Sequence, residues 1–91
     1  MKYTLDTLEF SRKRVDSFIS MRFKDKVLLS GFSEATWTRW LNGDRNPSTA
    51  TLEQLAESLS SKPLLSGLNP MEVLAGILIL RERTREKRRV A

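Results

Sequence analysis

Apolar residues recur at intervals of three and four along most of this chain, the period of an amphipathic helix. Val15, Phe18, Ile19 and Phe23 keep that spacing. They predict a first helix that starts near Asp6, where Asp6 and Glu9 have capping-box spacing, and runs through Phe23. A short second helix follows, about Lys24 to Ser30, and ends at Gly31. The third is the sharpest. Ser33 is a good N-cap, Glu34 places a negative charge in the first turn, and Trp37, Trp40 and Leu41 share one face. Asn42-Gly43 supplies the stop. A fourth helix starts after Pro47, with Ser48 as N-cap and Leu52, Leu55, Ala56 and Leu59 as its buried stripe. Ser60-Ser61-Lys62-Pro63 is a break, and Leu64 to Leu68 reads as a loop or one helical turn. Asn69-Pro70-Met71-Glu72 then has Asn at the N-cap, Pro at the first helical position and Glu at the third, a strong start for a fifth helix through Arg81. No stretch reads as a strand, so the expected fold is all-α, with four to five helices including a C-terminal one.

The fifth helix is unlike the others. From Val73 to Leu80 it is apolar on nearly every side, whereas a helix packed on one small core needs a single stripe. The surplus predicts a subunit interface, or else cover for the fourth helix and the Leu64-Leu65-Leu68 segment. Beyond it, residues 81–89 are dense in Arg, Lys and Glu. They read as a frayed solvated tail, as a DNA-binding arm, or as a continuous helix used in dimerisation.

With 91 residues there is room for one modest core. The formal net charge of +5 favours a polyanionic partner, nucleic acid or an anionic membrane surface. The chain holds neither His nor Cys, which removes the commonest general base and metal ligand, any disulfide and any thiolate site. Without a Gly-rich phosphate loop or paired carboxylates in an apolar setting, an enzyme is not expected, nor is a cofactor, a metal or a small-molecule ligand. The apolar run of residues 73–80 is far shorter than the ~20 residues of a membrane span, and the first residues do not resemble a signal peptide. A soluble cytoplasmic, nucleoid-associated protein is the expectation.

The outer face of the third helix carries Ala35, Thr38, Arg39 and Asn42, small or polar residues that can offer contacts to base edges in a major groove. From Lys24–Ser30, through Gly31-Phe32-Ser33 and Glu34–Asn42, to Gly43-Asp44-Arg45-Asn46-Pro47-Ser48 and Thr51–Leu59, the chain resembles the Cro and phage-repressor, or XRE-like, helix-turn-helix family. The likeness covers roughly residues 23–60. It implies a lambda-repressor-like domain over residues 1–69, with residues 70–91 forming a C-terminal helix, a possible dimerisation element, and its basic tail. It also implies sequence-specific binding of double-stranded DNA by a small transcriptional repressor, as a homodimer on a palindromic operator. By position, Glu34, Ala35, Thr38 and Arg39 would face bases, and Ser33, Asn42, Arg45 and Asn46 would lie near phosphates. Phe23 and Lys26-Val27 depart from the family, which has Gln and Leu-Ala at those places, so the two motif helices must pack differently here. Arg12-Lys13-Arg14 reads as a solvated helix face or as a phosphate contact from the first helix. The alternative function is a protein-interaction module, such as an antitoxin or phage accessory factor, built on the same motif.

Overall fold

A computed structural model describes residues 12–90, with side chains to residue 87. Among these residues five α-helices follow in order: α1 (Arg12–Ser20), α2 (Phe23–Ser30), α3 (Glu34–Asn42), α4 (Thr49–Leu59) and α5 (Pro70–Val90), with one 3-10 turn at Pro63–Leu65. Among the described residues there is no strand, and the fold is all-α as expected. The proposed start at Asp6 and Glu9 lies outside the described residues. No helix among them is long and apolar enough to cross a membrane.

The α1–α2 boundary corrects the sequence reading. Phe23 keeps the period of Val15, Phe18 and Ile19, yet α1 stops at Ser20 and Phe23 opens α2. Arg22 is extended, with φ −64° and ψ 147°, which breaks the helix between them. Lys26 Nζ donates to the Met21 carbonyl, so the break does not strand that acceptor. Val15, Phe18 and Ile19 are buried, while Phe23 is exposed.

Helix α5 organises the core. It packs against α1, α3 and α4, and it fully buries Val73 and Ile77. They join Phe18, Trp37, Leu55, Leu59 and Leu65 at the centre. Gly76 costs α5 about 1 kcal/mol of helix propensity relative to Ala. A Cβ there would lie 2.6 Å from Phe18 Cδ1, so the glycine is what lets this ring rest on the α5 backbone.

The α5 start forms as its sequence predicts. The Glu72 N–H donates to Asn69 Oδ1 at 2.9 Å, and the Asn69 N–H donates to Glu72 Oε1 at 3.2 Å. Glu72 is fully buried, and its Oε2 lies 3.3 Å from Arg14 Nε. Arg12 and Lys13 are exposed, but Arg14 belongs to this pair rather than to a solvated face.

The apolar surplus of α5 is narrower than the sequence suggests. Leu74 and Leu80 pack partly against the core, and only Leu78 and Ile79 stand outward, 45% and 39% exposed. Because three helices lie against α5, its buried stripe is wide. The helix also continues through Val90 rather than fraying after its last core turn.

Candidate nucleic-acid interface

Helix α2, the turn 31–33 and α3 form a helix-turn-helix-like unit. Ser30, at the end of α2, is its fastening point. Its hydroxyl donates to the Val27 carbonyl at 3.2 Å and accepts from the Phe32 N–H at 3.2 Å. It also accepts from Trp37 Nε1–H at 2.9 Å, reaching from α2 across the turn to α3. One side chain thus satisfies the buried indole donor and shapes the turn. Trp37 and Trp40 are the buried residues of α3, with ring centroids 5.1 Å apart in edge contact.

The ends of α3 are capped locally. Ser33 Oγ accepts from the Thr36 N–H at 3.2 Å. Gly43 takes the left-handed conformation, φ 82°, and its N–H returns to carbonyls of the last turn. With the inner face fixed by two tryptophans, the outer face follows from the 3.6-residue period. Glu34, Ala35, Thr38 and Arg39 are all exposed. Ala35, Thr38 and Arg39 share the face opposite the tryptophans and Glu34 lies at its edge, whereas Asn42, expected on the same face, is half-buried.

The residues read as phosphate neighbours are arranged less uniformly. Ser33 is exposed but its oxygen serves the cap. Arg45 is exposed and borders a groove of about 300 Å³ between α3 and the start of α4. Asn42 is half-buried. Asn46 Oδ1 accepts from Arg81 at 2.8 Å. Arg81 also donates through Nε and a terminal nitrogen to the Trp40 carbonyl, at 3.0 and 2.7 Å. This guanidinium therefore caps α3 from outside and braces the loop after it. Sequence reasoning missed Arg81, though its signal was present: it lies four residues past Ile77, which is four past Val73, on the buried stripe of α5.

Lys26 was likewise missed as a structural residue. It is 4% exposed, with its Nζ 5.8 Å from the Phe18 ring centroid. Here a long side chain fills the space between α1 and α2 and caps the end of α1. Burial pushes Lys26 below the ordinary lysine value of 10.5, and the Asp25 carboxylate opposes this. A lowered folded-state value means that the folded chain sheds this proton before the unfolded chain does. The burial cost is fully present at neutral pH and is relieved as pH rises towards 10.5. Relative to Lys26→Met, the unmodified chain should therefore gain stability over that interval in urea melts. A constant difference between the two would mean that the ammonium is not desolvated.

Both signs of charge border the outer face of α3: Glu34 and Asp44 against Arg39 and Arg45. No group of three or more acidic residues among the described ones could hold a metal ion. What the arrangement offers is a convex, solvent-facing helix with a fixed back. Its exposed side carries donors, acceptors and methyl groups. In comparison with known proteins, no family model, no curated protein and no solved structure matches this chain.

Proposed function

We propose that this chain binds double-stranded DNA in a sequence-specific manner, as a small transcriptional repressor of the Cro and phage-repressor kind. The observation that carries the reading is the anchoring of α3. Two buried tryptophans hold one face, which leaves Ala35, Thr38 and Arg39 exposed on the other. Arg39 suits guanine O6 and N7, the Ala35 and Thr38 methyl groups suit thymine methyls, and Glu34 can accept from cytosine N4. Arg45 supplies a phosphate contact, and Asn42 and Asn46 lie beside the same loop.

Arg39→Ala should cost on the order of 1–3 kcal/mol on a preferred site and relax preference at one base position. Arg45→Ala should weaken all sequences about equally. Duplexes selected from a random pool, followed by gel-shift titration, would read both effects. No duplex binding at low salt would overturn the function, and equal uniform losses would remove α3 as the reading element.

One motif reads few base pairs, so the reading includes a homodimer with α3 helices about 34 Å apart on a two-fold operator. Leu78 and Ile79 are the exposed apolar pair that would hold it. Ile79→Glu should then weaken self-association in sedimentation while the melting temperature stays nearly unchanged. A chain that is monomeric both free and on DNA would remove the dimer alone.

A protein-interaction module is the second reading, and Leu28 favours it. This α2 residue is 79% exposed, and Phe23 on the same helix is also exposed. Leu28→Ser separates the two, since it should spare duplex binding and impair only the docking of a protein on α2.

A further inference from the structure

The net charge of this chain is not spread evenly. Residues 81–91 hold six of the 16 basic residues and two of the 11 acidic ones, so they carry four of the five net positive charges. The charges on and just after α3 cancel, with Glu34 and Asp44 against Arg39 and Arg45. A surface so balanced gains little long-range attraction to a polyanion by itself. Most of the net charge available for that attraction lies in the C-terminal half of α5, and the structure places that half beside α3. Arg81 holds the Trp40 carbonyl and Asn46, while Thr84 and Arg85 flank a cleft of about 60 Å³ with Leu41 and Asn42.

The face that looks this way is basic. At 3.6 residues per turn, Arg85 lies about 40° round the helix from Arg81, whereas Glu82 and Glu86 lie about 100° and 140° away. Arg83 is on the far side, about 160° away. Arg85 has an ion pair with Glu82 at 3.2 Å, but both partners are more than half exposed, so exchanging that carboxylate for a phosphate costs little. From Arg81 to Val90 the helix rises about 14 Å, on the order of four phosphate intervals along one strand. Residues 81–87 include no apolar side chain that a membrane surface would need as an anchor.

We propose that the C-terminal half of α5 is a second phosphate-binding strip of the same DNA surface, held in line with α3 by the Arg81 bracket. The inference rests on the DNA-binding reading above. In it α3 supplies base choice, and α5 supplies most of the electrostatic affinity.

The test is the salt dependence of duplex affinity for the full chain, Arg85→Gln and Arg83→Gln, each first shown to melt like the unmodified chain. Arg85→Gln should reduce the slope of log affinity against log salt by about one and weaken all sequences alike, with base preference unchanged. Arg83→Gln, on the opposite side, should leave the slope within error of the original. If the unmodified chain binds duplex and Arg85→Gln leaves its slope unaltered, the strip is wrong while the DNA-binding reading stands. Equal reductions from both variants would also overturn it, because diffuse charge rather than an oriented strip would then account for the affinity. Absence of any duplex binding by the unmodified chain would overturn both.

Discussion

Trp37→Ala should destabilise this protein by about 3–5 kcal/mol, against a total of about 5–14 kcal/mol for a chain of this length. Trp37 is fully buried and touches two other aromatic rings, Trp40 at 5.1 Å and Phe18 at 6.4 Å between centroids. Truncation would open a cavity where α1 and α3 meet, and the fixed backbone of α5 behind Phe18 limits its collapse. It would also take the indole donor from Ser30, leaving that hydroxyl with its Val27 and Phe32 partners only. Trp37→Phe separates the two contributions. It retains most of the ring volume and loses the hydrogen bond, so about 1–2 kcal/mol is expected. Denaturant melts of both variants give the measurement. A shift below about 1 kcal/mol for Trp37→Ala would mean that the apolar face of α3 does not point into the core. The outer face assigned to Ala35, Thr38 and Arg39 would then be wrong as well.

The parts of the fold that were legible in the sequence are those set by neighbouring residues. Ser33 and Ser48 each accept from a backbone N–H three residues on, and Asn69 and Glu72 exchange hydrogen bonds across the same interval. Such contacts need no tertiary partner, so spacing alone reveals them. The boundary between α1 and α2 was not legible, because Phe23 continues the helical period. What favours the break is Lys26 folding back on the Met21 carbonyl and the Phe18 ring, a choice made by packing rather than propensity. In the same way, the apolar run of α5 looked like surplus. Its period does not tell that α1, α3 and α4 all press on one helix, or that Phe18 claims the space above Gly76.

The candidate interface divides along the same line. Ala35, Thr38 and Arg39 follow from the tryptophans by geometry, and the structure exposes them as expected. Asn46 reads locally as a polar loop residue, but its oxygen is taken by Arg81, which is 35 residues away in sequence. The buried stripe of α5 marks Arg81 as inward-facing, but nothing local names Asn46 and the Trp40 carbonyl as its partners. Arg81 also explains how α3 is held at its far end, since Ser30 fixes only the turn side.

The second large effect is expected at the other end of α5. Glu72 is fully buried, and Arg14, whose side chain is about one-third exposed, supplies its positive partner at 3.3 Å. Arg14→Met removes that charge and leaves a buried carboxylate held by the Asn69 N–H alone. Removing one member of a buried pair costs about 3–5 kcal/mol, and the surviving hydrogen bond from the Asn69 N–H places this case near 3. Glu72→Gln keeps an acceptor for the Asn69 N–H and leaves Arg14 partly in solvent, so its cost should be nearer 1 kcal/mol. The double variant should recover much of the loss of Arg14→Met, since no uncompensated charge remains. A double-mutant cycle on denaturant melts reads the coupling directly, and additive losses would show that the pair is not electrostatically linked. On the DNA-binding reading proposed above, the position of the pair matters for function. Arg14 and Glu72 fasten the start of α5 to α1, while Arg81, two to three turns later, fastens it to α3. Weakening the first bracket should lower stability with base preference intact. Weakening the second, as in Arg81→Ala, should alter duplex affinity more than it alters the melting temperature, because it releases the end of α3 and the Asn46 loop rather than the core.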